Sequence, residues 1–127
     1  MSRQHETGNL GEEAVCRYLS ERGYEIMARN FRISGGEIDI VARKGEDMAF
    51  VEVKTRMPGA MESGFDAVGK AKQRRIIRAG YRFCEKYDIG ETDYYFRYDI
   101  AEVICLNGRI LNIDYLENAF DESDFSR

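Results

Sequence analysis

Two short stretches decide the fold: GEIDIV at residues 36–41 and FVEVKTR at residues 50–56. The first stretch alternates in polarity, which predicts a strand on which Ile38, Ile40 and Ala42 share one face. The charged, glycine-containing segment between the two stretches predicts a tight turn. The second stretch is therefore predicted to be the other strand of a hairpin.

Charged side chains interrupt both apolar strands. Asp39 lies deep in the first strand, and Glu52 and Lys54 lie two residues apart in the second, where they share a face. If the hairpin pairs in register, Asp39 stands beside Glu52. The sequence thus predicts two carboxylates and one ammonium group on one face of the sheet.

The chemistry of this group follows from its charges. Two close carboxylates repel each other, and a proton or a bound cation relieves the repulsion. Oxygen ligands without histidine or cysteine favour Mg²⁺ or Mn²⁺ over zinc. Such an ion neutralises charge on a phosphate, and Lys54 beside it can hold the attacking water. The group points to phosphodiester hydrolysis; the alternative is that these are ordinary solvated residues on the wet face of an antiparallel sheet.

Further candidate residues come from two predicted helices and from the loop after the second strand. Glu12 edges the buried stripe of the first helix and is preferred to Glu13 as a third acid, with a plain surface charge as the alternative. Gln73 begins the buried stripe of the second helix, either as a helix-end residue or as one that reaches the site. Three basic residues are candidates for phosphate contacts, or else belong to a solvated surface: Arg56, Lys72 and Arg74.

Helical spacing and turn residues divide the rest of the chain. The predicted elements are a helix over 8–22, strands over 24–30, 37–42 and 48–55, a helix over 70–87, and strands over 94–106 and 109–113. The predicted buried stripe of the second helix is Gln73, Ile77, Gly80, Cys84 and Tyr87, with Ile76 and Phe83 beside it. The dipeptide Asn107-Gly108 predicts a type I′ turn between the last two strands.

This order of elements predicts one α/β domain over residues 1–127, with a mixed central sheet flanked by helices. The ends, residues 1–6 and 121–127, are predicted to be frayed or mobile.

The charge distribution allows a polyanionic partner although the formal net charge is −4. Residues 54–82 contain eight basic and two acidic residues, a net charge of +6, so the remainder carries −10. A local basic stripe on an acidic protein can guide a polyanion, and the alternative is a solvated helix face. Residues 114–127 carry a net charge of −4 and are a candidate surface for a protein contact.

Composition argues against several other classes of protein. The three cysteines are far apart in sequence, which disfavours a zinc knuckle or a disulfide scaffold and predicts buried free thiols in a reducing cytoplasm. Catalysis of the Ser-His-Asp or Cys-His type would have to use His5, because it is the single histidine. This argues against both types. No apolar run fits a membrane span, and the N-terminus lacks the apolar core of a secretory signal, so no membrane partner is expected.

Six motifs are distributed along nearly the whole chain. They are GEEA at 11–14, GEIDIV at 36–41, FVEVKTR at 50–56, KQRR at 72–75, RYD at 97–99 and NAF at 118–120. In sequence and order they resemble the motifs of the YraN-like family, a group of small uncharacterised bacterial proteins predicted to be endonucleases. That family is similar to Holliday-junction resolvases and belongs with the PD-(D/E)XK nucleases.

The resemblance implies a restriction-endonuclease-like α/β core with a specific set of site residues. It implies Asp39 and Glu52 as metal ligands, Lys54 as the catalytic lysine and Glu12 as the acid contributed by a helix. The proline that often precedes the aspartate in the PD-(D/E)XK motif is replaced here by Ile38.

The residues and the resemblance together favour a Mg²⁺- or Mn²⁺-dependent endonuclease acting on DNA, with branched DNA such as Holliday junctions as a candidate substrate. Symmetric cleavage of branched DNA suits a two-fold homodimer. The first alternative is a nucleic-acid-binding module that keeps the nuclease fold without useful catalysis. The second is a protein-interaction domain that uses its acidic C-terminal segment.

Overall fold

The computed structural model describes residues 3–59, 65 and 67–125. Its elements are α1 (Arg3–Glu21), β1 (Glu25–Ile33), β2 (Gly36–Lys44), β3 (Asp47–Arg56), α2 (Lys70–Lys86), β4 (Tyr95–Leu106), β5 (Arg109–Phe120) and a final 3-10 helix (Glu122–Phe125). The predicted order of helices and strands is confirmed. Two acids counted in the basic segment, Glu62 and Asp66, lie outside the described residues.

The five strands form one mixed sheet in the order β1-β2-β3-β4-β5. Strands β3 and β4 are parallel, and the other neighbouring pairs are antiparallel. Parallel neighbours need a crossover connection, and α2 supplies it here. The predicted α/β class with a mixed sheet flanked by helices is confirmed.

One face of the sheet is covered by α1. Val15 and Leu19 of this helix pack with the small side chains Ala42, Ala49 and Ala101 from three different strands. Small residues under a helix let its backbone approach the sheet closely. This layer therefore brings the middle of α1, residues 11–15, near the strands that carry the acidic motif.

The opposite face is covered by α2, whose Ile76 and Phe83 pack with Val41, Met48 and Phe50. The predicted stripe of α2 is wrong at its far end, because Tyr87 is 52% exposed. The residues buried along α2 are Ile76, Ile77, Ala79, Gly80 and Phe83. The stripe is rotated from the prediction because it starts at Ile76, whereas the Gln73 side chain turns back to the connection before the helix.

The alternation predicted for β2 is interrupted at Asp39. Ile38 and Ile40 were predicted to share a face. Ile40 packs in the α1 layer, but Ile38 packs in the α2 layer, so the two residues lie on opposite faces. The β1–β2 register puts Asn30 opposite Asp39, and Asn30 has a positive φ of 52°. A left-handed residue turns its strand locally, which accounts for the change of face.

The last hairpin is longer than predicted. Asn107 and Gly108 have φ values of 52° and 77°, as the predicted type I′ turn requires. Strand β5 continues beyond Ile113 to Phe120, whose ring stacks on Tyr98 with centroids 5.3 Å apart. The acidic segment that begins at Asp114 is therefore an edge strand for its first half.

The chain ends and the cysteines complete the comparison. The predicted fraying of residues 1–6 and 121–127 stays a prediction, since residues 1, 2, 126 and 127 lie outside the described part. Within it, α1 and the final 3-10 helix reach into both segments. All three cysteines are free; Cys105 is buried, and Cys16 and Cys84 are half-buried. Among the described residues, no helix combines the length and the apolar character needed to cross a membrane.

Candidate functional site

Asp39 lies where the ladder between β2 and β3 ends. The ladder's final pair is Ile40 with Val51, and the next positions along the two strands are Asp39 and Glu52. Beyond the last backbone pair, the Asp39 side chain supplies the next hydrogen bond between the strands. Its Oδ2 accepts from the backbone N–H of Val53 at 2.8 Å. This bond fixes the carboxylate in the opening between the two strands.

Glu52 stands beside Asp39 and is 3% exposed. The alternation along β3 puts Glu52 on the same face as Phe50, which is the face covered by α2. Lys72 of α2 meets it there, with Nζ 3.1 Å from Glu52 Oε2. A buried carboxylate needs a partner, and this ammonium group supplies one.

The two carboxylates repel each other strongly. Burial, and then the charge of Glu52, raise the pKa of Asp39 to about 7. Burial alone would lower the pKa of Lys72, but the Glu52 carboxylate outweighs it and the net shift is upward. One ammonium group, that of Lys72, therefore does not neutralise both carboxylates, Asp39 and Glu52.

Lys54 follows Glu52 by two residues and lies on the same face of β3. It is half-buried, and the parallel register puts it next to Glu102 of β4. No ion pair joins Lys54 to Asp39 or to Glu52. Its ammonium group remains available to a ligand at the carboxylates.

Glu12 approaches from the other side of the sheet, on α1. The preceding residue, Gly11, is buried so closely against Thr55 that a Cβ would lie 2.1 Å from Thr55 Oγ1. Burial, and then the charge of Asp39, raise the pKa of Glu12, and the Asn30 side chain donates a hydrogen bond to it. Its Oε1 is buried without a hydrogen-bond partner, and Arg29 Nη2 is 3.6 Å away.

Glu13, the residue not preferred, is exposed and pairs with Arg29. The structure thus brings Glu12 close to the acids and directs Glu13 to the surface. The two helices deliver Glu12 and Lys72 to the carboxylate pair from opposite faces.

The other three predicted residues surround this centre at different distances. Arg56 points along β4, with Nε 4.0 Å from Glu102 Oε2, and its Nη1 is buried without a partner. Gln73 donates from Nε2 to the carbonyl oxygen of Val68 at 2.8 Å. This contact lies at the start of α2, as expected of a helix-end residue, which was one of the two alternatives for Gln73. Arg74 is exposed on α2.

Comparison with known proteins assigns the family. The sequence pattern of the "Uncharacterised protein family UPF0102" matches residues 11–103, a span that contains all eight predicted site residues. The chain belongs to the UPF0102 family. The resemblance to the YraN-like proteins is thereby confirmed.

Relatives in this family match the chain over most of its length. A UPF0102 protein of Alkaliphilus metalliredigens is 42% identical over 113 residues, which cover 89% of this chain and 96% of that protein. One of Chloroflexus aurantiacus is 36% identical over 115 residues, covering 91% and 92%. One of Geobacter metallireducens is 40% identical over 114 residues, covering 90% and 91%.

Sequence reasoning on this UPF0102 chain missed three features of the site. Lys72 was expected to contact phosphate, but it pairs with Glu52. Asn30 and Glu102 were not singled out. Asn30 is the positive-φ residue opposite Asp39. Its sequence context, Asn30-Phe31 inside a strand-like segment, does not indicate a left-handed residue. Glu102 is a buried acid in an apolar run, the same signal that marked Asp39.

The donor set fits a hard divalent cation. Among the described residues no group of three or more acidic, histidine or cysteine side chains is close enough to hold a metal together. Mg²⁺ commonly uses only one or two protein carboxylates and keeps several waters. The pair Asp39 and Glu52, with its raised Asp39 pKa and the unpartnered Glu12 Oε1 nearby, meets that requirement.

Proposed function

We propose that this UPF0102 protein is a Mg²⁺- or Mn²⁺-dependent endonuclease that hydrolyses phosphodiester bonds in DNA. The observation that carries the proposal is the adjacent pair of the half-buried Asp39 and the buried Glu52, with Lys72 in an ion pair with Glu52 and Lys54 on the same face of β3. Paired carboxylates with adjacent lysines are suited to a cation, a phosphate and an attacking water. The raised pKa of Asp39, caused by burial and by the charge of Glu52, is the kind of shift that clusters at functional sites.

In this proposal each residue has a separate task. Asp39 and Glu52 hold the cation, with Asp39 fixed by the Val53 N–H. Lys72 leaves Glu52 and turns to the phosphate, since its side chain is 40% exposed and free to move toward solvent. Lys54 orients the water and stabilises charge on the phosphorus oxygens, and Glu12 supports the site from α1. The bound cation supplies charge neutralisation and a more acidic water.

The basic residues around the centre support DNA as the substrate class. Arg56 and Arg74 add positive charge on β3 and α2. Phosphate contacts of this kind hold the duplex in place without reading its sequence. Branched DNA, cut by a two-fold dimer, is the specific substrate that we propose.

The test is cleavage of junction, flap and linear DNA with Mg²⁺. Asp39→Asn and Lys54→Ala are expected to lower the rate by at least about 100-fold, in the range of lost electrostatic stabilisation. Asp88→Asn and Lys86→Ala are matched controls, because both residues are exposed at the far end of α2 and asparagine tolerates the φ of 56° at position 88. Equal cleavage by all five proteins would refute the assignment.

The Lys72–Glu52 ion pair favours a second candidate function. At 3.1 Å it satisfies Glu52 without a metal, as expected of a nucleic-acid-binding module that keeps the fold without catalysis. The module should bind DNA with a steep salt dependence that survives Asp39→Asn and Glu52→Gln. A Mn²⁺ titration separates the two candidates, since only the nuclease requires Mn²⁺ binding that these substitutions abolish.

A further inference from the structure

A cleft lies beside the carboxylate pair, between the β1–β2 turn and the first turns of α2. Its volume is about 370 Å³, and its lining includes Arg32, Gly35, Gly36, Glu37, Lys72 and Arg75. Lys72 belongs both to this cleft and, through its 3.1 Å ion pair with Glu52, to the acidic centre. One side chain therefore connects the two spaces.

Two glycines shape the cleft. A Cβ on Gly36 would lie 2.6 Å from the carbonyl oxygen of Arg75, so the start of β2 lies directly against the α2 backbone. Gly35 has a φ of 83° and turns the chain at the rim. Gly36 thus lets the turn pack against the helix, and Gly35 lets the chain bend at the rim of the cleft.

The charges of the cleft are predominantly positive. Arg32 bonds to Glu37 with Nε 2.9 Å from Oε2, and both side chains are well exposed to solvent. Arg75 is exposed, and none of the described carboxylates forms an ion pair with it. Of the three basic side chains in the cleft, Arg32 and Lys72 are each paired with a carboxylate, and the guanidinium group of Arg75 is available to bind an anion.

We propose that this cleft binds the backbone phosphate adjacent to the scissile phosphate of the DNA, with Arg75 and Arg32 as its ligands. The inference rests on the proposed nuclease function. A guanidinium group presents a fork of donors that matches phosphate oxygens. Lys72 spans the distance between the two phosphates. Binding here is therefore independent of DNA sequence and positions the strand for cleavage.

The test is fluorescence anisotropy of labelled junction and duplex DNA in EDTA, over a series of salt concentrations. Arg75→Ala is expected to weaken binding about tenfold, the effect of one charge-assisted hydrogen bond, and to lower the salt slope by about one. Arg32→Ala should have the same direction of effect. The matched control is Arg82→Ala, two turns further along the same exposed side of α2, where Arg82 pairs with Glu85, and it should change affinity less than twofold.

The outcomes separate the cleft from the nuclease assignment. If Arg75→Ala and Arg32→Ala bind as Arg82→Ala does, the cleft proposal is overturned, whatever the cleavage assay shows. If they weaken binding while the wild type does not cleave with Mg²⁺, the phosphate cleft stands and the nuclease assignment fails. If the wild type binds none of these DNA forms at low salt, both are overturned. Circular dichroism of each variant verifies that the fold is kept.

Discussion

Burial beside Glu52 leaves Asp39 with a carboxyl group that holds its proton up to about pH 7 in the metal-free protein. The same buried position makes Asp39 a strong ligand once a cation is present, because the cation removes the repulsion that raised the pKa. The repulsion between Asp39 and Glu52 thus costs free energy without a cation, and a bound cation would relieve it.

This shift predicts a pH dependence of stability. The pKa of Asp39 is raised from 3.8 to about 7, so the folded protein binds more protons than the unfolded chain between those values. Stability should therefore fall as the pH rises from about 4 to about 7 in EDTA. Asp39→Asn should lack this part of the decline and be more stable than the wild type at pH 8. Urea unfolding at several pH values measures it, with Asp88→Asn as a control that follows the wild type.

Lys72 and a divalent cation compete for Glu52. Lys72→Met removes the competing ammonium group, so Mn²⁺ affinity should rise about fivefold, since a partly exposed ion pair contributes about 1 kcal/mol. Titration calorimetry with Mn²⁺ gives the affinity, and Lys86→Met is the control. If Lys72→Met bound Mn²⁺ more weakly than the wild type, Lys72 and the cation would not be competing for Glu52.

At the scale of elements, the contact between β2 and α2 sets the distance from Glu52 to Lys72. Gly36→Ala introduces a Cβ 2.6 Å from a backbone oxygen that cannot rotate away, and it should destabilise the protein by about 1–3 kcal/mol. Gly8→Ala in α1, with nothing within 4 Å of the added Cβ, should be neutral or stabilising. Urea unfolding of both variants compares them, and equal stabilities would contradict this packing.

The elements also show what a sequence can predict. The hairpin of β2 and β3 was predictable because a charged glycine turn separates two strand-like stretches, and with it the placement of Asp39 beside Glu52. The face of Ile38 was not, because it depends on the conformation of Asn30 in a partner strand. The pairing of Lys72 with Glu52 depends on how α2 crosses the sheet, which helical periodicity alone does not fix.

At the scale of the whole molecule, basic side chains are concentrated on α2, where seven of the 17 residues are basic and one is acidic. Lys72 brings this charge to the acidic centre, and the acidic C-terminal segment contacts the same helix through the hydrogen bond from Tyr81 to Glu122. Such a distribution guides a polyanion to one part of an acidic protein. Under the proposed function, this local basic charge is what would attract DNA to a chain with a formal charge of −4.

A dimer on branched DNA is the corresponding prediction for the assembly. Two copies per four-way junction are expected, because symmetric cleavage needs two centres related by a two-fold axis. Native mass spectrometry of the Asp39→Asn protein with junction DNA counts the copies without cleavage. A single copy per junction would contradict symmetric cleavage, while a linear duplex serves as the comparison.

The central claim is that Asp39 and Glu52 share one hard cation. Crystals soaked in Mn²⁺ and measured for anomalous scattering test it most directly. The account predicts one strong peak within ligand distance of both carboxylates, with Lys72 withdrawn from Glu52, and no such peak in Asp39→Asn crystals. Soaked crystals with no peak between the two carboxylates, and with the Lys72–Glu52 pair intact, would contradict it.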